Sequence, residues 1–126
     1  MVELKIVDNG ENRTILIKED YEFSAMVLRT ILSEEKYNSK TIKNLEGFEG
    51  IKLFKNSILF YDLNLDSQED EILLKNIKKK YPKLKIIMIN YVGQKIDIIS
   101  LKEKFGIEKI IQRPFSRREI ISAIDN

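Results

Sequence analysis

Three carboxylates stand where short apolar runs end: Glu19 and Asp20 follow the run Thr14 to Ile17, and Asp62 follows the run Ile58 to Tyr61. If those runs are neighbouring parallel strands, the three side chains converge at one end of a sheet. Two like charges about 4 Å apart there repel by roughly 4 kcal/mol at an effective dielectric of 20, so a cation must offset them. A hard, oxygen-seeking ion such as Mg²⁺ suits carboxylates plus water and leaves coordination positions for phosphate oxygens. Any one of these acids alone reads better as a solvated loop residue. The three together, at the end of an α/β sheet where ligands bind, favour a shared metal pocket.

The elements that must position them follow from apolar spacing. Nearly continuous apolar runs at Thr14 to Ile17, Ile58 to Tyr61, Ile86 to Ile89 and Lys109 to Ile111 read as strands buried on both faces, with a weaker one at Lys40 to Leu45. Between them lie five sets at helical spacing: Phe23, Val27 and Ile31; Phe48, Ile51 and Phe54; Leu73, Leu74 and Ile77; Ile98, Leu101 and Phe105; Ile120, Ile121 and Ile124. Strict β-α alternation with right-handed crossovers gives a parallel sheet covered by helices on both faces, a three-layer α/β/α domain. Ser116-Arg117-Arg118-Glu119 has capping-box spacing before the last helix, and Tyr81-Pro82 ends the third.

Composition removes several chemistries. The 126 residues, 43% of them hydrophobic, suffice for one core in one domain. There is no cysteine and no histidine, which excludes disulfide scaffolds, thiol and Ser-His nucleophiles, and Cys- or His-ligated zinc. It also excludes a phosphohistidine in this chain, so any phosphoryl group arrives from another molecule. A net charge of +2, from 22 basic and 20 acidic residues, provides no field that implies nucleic acid. With no membrane-length apolar run and no signal-peptide pattern at the start, a soluble cytoplasmic protein is expected.

Ile15-Leu16-Ile17-Lys18-Glu19-Asp20, with a helix after it, resembles the opening of a bacterial two-component response-regulator receiver domain of the chemotaxis-regulator type. Ser57-Ile58-Leu59-Phe60-Tyr61-Asp62-Leu63-Asn64-Leu65 is similar to that family's phosphoacceptor strand and loop. Leu74 through Pro82 and Ile86-Ile87-Met88-Ile89 are similar to its third helix and fourth strand, and Phe105 through Phe115 to the segment leading into the fifth helix. The resemblance implies a flavodoxin-like fold, five strands in the order 2-1-3-4-5, over residues 14–126. Asp62 would accept a phosphoryl group from a histidine kinase or phosphotransfer protein. Glu19, Asp20, Asp62 and the backbone carbonyl of Asn64 would hold Mg²⁺, with Asn90 and Arg113 touching the phosphoryl group. It further implies a regulatory domain rather than an enzyme, with homodimerisation or contact to an output domain through the fourth helix, fifth strand and fifth helix.

Several positions depart from the family pattern. Asn90 stands for a hydroxyl residue, Arg113 for a lysine and Ile110 for a switching aromatic. Asp66-Ser67-Gln68-Glu69-Asp70 lacks the usual Pro-Gly turn, and Lys18 replaces an apolar residue. A phosphorylation-independent interaction module on the same fold is therefore the alternative reading. A phosphohydrolase is weaker, because the haloacid-dehalogenase pattern needs a second aspartate where Asn64 sits.

Residues 1–13 form an extension in which Val2, Leu4 and Ile6 alternate and Asn9-Gly10 reads as a turn: an arm or an extra edge strand. Ile6-Val7-Asp8-Asn9 also looks like a receiver opening, but it lies too far before Asp62 and no apolar helix follows it. The lysines at 75, 78, 79, 80, 83 and 85 read as a solvated helix end rather than a nucleic-acid patch. Tyr91 and Phe115 read as packing aromatics. The end at Asn126 leaves no room for an output domain, as in a stand-alone regulator or an excised fragment.

Overall fold

The computed structural model describes residues 14–18, 22–43, 57–62, 68–91 and 97–125. In chain order these form β1 (Ile15–Lys18), α1 (Glu22–Glu34), β2 (Ser39–Thr41), β3 (Ile58–Asp62), α2 (Gln68–Lys80), β4 (Lys85–Tyr91), α3 (Ile98–Phe105), β5 (Ile107–Arg113) and α4 (Arg117–Asp125). The third, fourth and fifth helices expected from sequence are thus α2, α3 and α4. The expected helix on Phe48, Ile51 and Phe54, the extension 1–13 and the second strand beyond Lys43 lie outside the described residues.

The five strands pair in parallel in the order β2-β1-β3-β4-β5, the flavodoxin-like doubly wound arrangement. Strand order reverses between β1 and β3, so the ligand crevice of such a sheet lies beyond their carboxyl ends. Because both faces are covered, Ile15, Leu16, Ile17, Ile58, Leu59, Phe60 and Tyr61 are all buried. Alternation divides them into two cores. Leu16, Leu59, Tyr61, Ile86 and Met88 pack against Leu74 and Ile77 of α2 and Leu101 and Phe105 of α3. Ile15, Ile17, Ile58, Phe60, Ile87 and Ile89 pack against Leu28 and Leu32 of α1 and Ile120 and Ile124 of α4.

A register shift sets the last strand. Ile86 pairs with Ile107, but Ile87 pairs with Lys109, leaving Glu108 as an extra residue in β5. This bulge switches the facing of β5. Ile107 joins the core under α2 and α3, whereas Ile111 joins the one under α1 and α4. Arg113, two residues beyond Ile111, therefore shares the face of Asp62.

Helix ends follow local chemistry. Asp97 caps α3, its carboxylate accepting from the Ser100 amide at 3.1 Å, and Gly106 closes it with φ +66°. At α4 the reciprocal capping box forms: the Ser116 amide donates to Glu119 Oε1 at 3.1 Å, and the Glu119 amide donates to Ser116 Oγ at 3.2 Å. Helix α2 begins with Glu69, Asp70 and Glu71 and ends in Lys78, Lys79 and Lys80, matching its dipole. Arg117 ties the start of α4 to Glu34 and Glu35 at the end of α1. Lys85 and Lys109 donate to the carbonyls of Ala123 and Ser122 near the other end of α4.

Two expectations need correction. Phe23 does not face the core: it is 61% exposed, and the buried residues of α1 are Ser24, Ala25, Leu28, Ile31 and Leu32. Small side chains at Ser24 and Ala25 let the first turn approach the sheet, which rotates the apolar stripe away from Phe23. β5 is also longer than its apolar run suggests, reaching Arg113. Among the described residues no helix is long and apolar enough to cross a membrane.

Candidate functional site

Asp62 is the last residue of β3, the central strand, and sits at the carboxyl end of the sheet beside the reversal point. The ladder Lys18↔Tyr61 and Asp62↔Ile89 fixes its level. Phe60, two residues earlier, points into the core under α1 and α4, so alternation sends Asp62 to that side but past the apolar layer. Its side chain is 16% exposed.

Arg113, the last residue of β5, meets it there. Nη2 of Arg113 lies 3.0 Å from Oδ2 of Asp62, and the arginine side chain is only 10% exposed. Its Nε donates to Ser24 Oγ at 3.1 Å, in the first turn of α1. A planar guanidinium can serve two partners at fixed angles where an ammonium would be a mobile point charge. Arg113 consequently joins β5, β3 and α1 at one corner of the molecule.

Asn90 lies near the end of β4, level with Gln112, and faces the core under α2 and α3. It is buried, and neither Oδ1 nor Nδ2 has a hydrogen-bond partner among the described residues. Such a group costs about 1–3 kcal/mol of desolvation. Of the other expected site residues, Glu19, Asp20 and Asn64 lie outside the described residues, as does the side chain of Tyr91. Ile110 is partly buried against the core under α2 and α3, and Phe115 packs on the other core, as expected of an aromatic. Among the described residues no three acidic side chains cluster as a metal site. Asp62 is the one member of the expected metal set that is described, and its carboxylate is the oxygen donor a hard cation prefers.

Two residues beside the site escaped the sequence reading as parts of it. Ser24 was overlooked because a serine in a first turn reads as a polar starter, although it lies four residues before buried Leu28. Asp70 is buried and accepts from Tyr61 Oη at 3.2 Å. Its signal was its place four residues before Leu74 and seven before Ile77, on the buried stripe of α2.

A doubly wound parallel sheet with an ion-paired aspartate at the end of its central strand defines a flavodoxin-like α/β class of domain. The sequence model of the response regulator receiver domain matches residues 15–125. The chain belongs to the response regulator receiver domain family, the receiver domains of two-component signalling, which are regulatory rather than classical enzymes. It is 26% identical over 115 residues to the chemotaxis protein CheY of Thermotoga maritima, covering 90% of this chain and 95% of that protein. It shares its fold with the N-terminal receiver domain of a two-component response regulator from Bacteroides fragilis, at TM-score 0.73 and 18% identity, covering 92% of this chain and 96% of that one. It likewise resembles the receiver domain of NtrX from Brucella abortus, at TM-score 0.67 and 21% identity, covering 90% and 98%. The GTPase Der of Buchnera aphidicola is 30% identical over 124 residues, but the match spans only 26% of that protein. This chain carries no G-x-x-x-x-G-K-[ST] phosphate loop.

Proposed function

We propose that Asp62 accepts a phosphoryl group from a phosphohistidine of a histidine kinase or phosphotransfer protein, in the cytoplasm, and that residues 14–126 form this unit with 1–13 as an extension. The observation that carries the reading is the carboxylate of Asp62 at the sheet's reversal point, partly open yet held by Arg113 at 3.0 Å. A carboxylate oxygen attacks phosphorus as the P–N bond of the donor breaks, and the electron pair of that bond stays with the donor imidazole. Glu19, Asp20, Asp62 and the carbonyl of Asn64 would hold Mg²⁺, which when bound neutralises phosphoryl oxygens. Arg113 holds the nucleophile's orientation and then faces the added charge. The buried amide of Asn90 has donor capacity to spare for a phosphoryl oxygen. Added charge beside Asn90 and Arg113 biases the loops after β3 and β4 and so the face made by α3, β5 and α4, where a second copy or an output domain docks.

Intact mass after incubation with Mg²⁺ and a small phosphodonor tests this. The wild type is expected to gain one phosphoryl group and Asp62→Ala none. An unmodified wild type, or a gain that survives Asp62→Ala, overturns the proposal.

The second reading is an interaction module independent of phosphorylation. It is favoured by Arg113, already committed to both Asp62 and Ser24, and by Ile110, packed on the core where a switching aromatic is usual. Amide shifts on adding Mg²⁺ with beryllofluoride separate the two, because silence near Asp62 supports the module.

A further inference from the structure

Arg113 and Asp62 meet across a strand that belongs to neither. β5 pairs with β4 and β4 with β3, so the two side chains together bridge two inter-strand spacings, roughly 10 Å. An arginine extended that far loses much rotamer freedom when it is held. Gripped at its tip alone, by Nη2 on Asp62 Oδ2 at 3.0 Å, it would pivot about that contact. Its single Nε proton goes to Ser24 Oγ at 3.1 Å. Nε and Nη2 form one edge of the planar guanidinium, so the hydroxyl and the carboxylate lie along the same edge and between them fix its plane.

Ser24 is a firm mount for this. It is 6% exposed, in the first turn of α1, beside Ala25 at 0% and four residues before Leu28 at 0%. Packing therefore sets the height of that turn over the sheet. An alanine favours a helix more than a serine does, and a buried hydroxyl costs free energy unless it is bonded. The bond accepted from Arg113 offsets that cost, and what it secures is the orientation of the arginine.

We propose that Ser24 is a positioning residue for phosphoryl transfer to Asp62, holding the Arg113 guanidinium in the orientation from which it meets the charge of the arriving phosphoryl group. This rests on the reading of Asp62 as phosphoacceptor. In that step an Asp62 oxygen bonds to phosphorus and the P–N bond of the donor breaks. Its electron pair stays on the donor nitrogen, which takes a proton from water. A guanidinium set in place beforehand need not reorganise as charge develops on the phosphoryl oxygens. Ser24 acts through Arg113.

The test follows phosphorylation by phosphoramidate with Mg²⁺ present, read as intact mass against time. Beside it run the Arg113 Nε–H signal in metal-free NMR and metal-free urea unfolding. The proteins are the wild type, Ser24→Ala, Ser24→Thr and Ser24→Cys. Ser24→Ala should be phosphorylated about five-fold more slowly, the size of one lost hydrogen bond, and its Arg113 Nε–H signal should shift and exchange faster with water. Ser24→Thr, which keeps the hydroxyl, should restore both. Should the threonine methyl group prevent folding, Ser24→Cys carries the comparison: close to serine in shape but a weak acceptor, it should match Ser24→Ala. A wild-type rate in Ser24→Ala or Ser24→Cys, an unmoved Nε–H signal, or a folded Ser24→Thr as slow as Ser24→Ala overturns the positioning role and leaves Asp62 as phosphoacceptor. A wild type that takes no phosphoryl group overturns both.

Discussion

The pairing of Asp62 with Arg113 can be weighed by a double-mutant cycle. At 3.0 Å, with side chains 16% and 10% exposed, Coulomb attraction at an effective dielectric of 20 is about 5 kcal/mol before costs. Desolvation of both groups and ordering of the arginine remove much of that, leaving an expected coupling of about 2 kcal/mol. The cycle comprises wild type, Arg113→Met, Asp62→Asn and the double variant, each unfolded in urea at neutral pH with a chelator present so that no divalent ion competes for the carboxylate. Single substitutions at Asp62 also change its interactions with other groups, and the cycle cancels those. Arg113→Met alone is expected to lose about 2 kcal/mol, chiefly because it strands a partly buried carboxylate. Arg113→Lys should lose about 1 kcal/mol, keeping the charge but not the bond to Ser24. A coupling below about 0.5 kcal/mol would refute the reasoning, since the two charges would then be energetically independent.

Three other outcomes follow from local geometry. Ser116→Ala removes one half of the α4 capping box and is expected to cost about 1 kcal/mol in urea unfolding, whereas Ser116→Asp should be near neutral. Gly106→Ala places a methyl group 2.6 Å from Lys78 Cε at a φ of +66°, and about 1–2 kcal/mol of left-handed strain alone should lower its melting temperature. Glu71 is held below its ordinary range, first by the hydrogen bond from Lys104 at 2.9 Å. A depressed carboxyl stabilises the fold above its unfolded value, and that contribution fades as pH falls through the folded value. The difference in urea midpoint between wild type and Lys104→Met should accordingly be largest near neutrality and vanish in acid.

What could be read in the sequence was what burial on two faces writes into it. Ile58 to Tyr61 and Ile86 to Ile89 are continuous apolar runs because helices cover both sides of those strands, and their order with the intervening stripes leaves few topologies. The place of Asp62 at the carboxyl end of the sheet was legible because it ends such a run, and the Ser116–Glu119 box because its spacing is its geometry. The misplacement of Phe23 has the opposite origin: a reading by large apolar side chains passes over Ser24 and Ala25, the small residues that are buried in the first turn of α1. The extent of β5 was hidden by its bulge, which breaks the alternation a reader relies on. Buried polar partners were the least visible part of the site. Ser24, Lys18 and Asp70 each continue a buried stripe, but their types ordinarily signal solvent.

Helix α4 is fastened at both tips, to Glu34 and Glu35 of α1 by Arg117 and to the sheet by two lysine ammoniums on the carbonyls of Ala123 and Ser122. A rod pinned twice cannot pivot about either pin alone. Any push on it travels into α1 and into the strands that carry Lys85 and Lys109, so a molecule that grips this flank takes hold of the whole side of the domain at once.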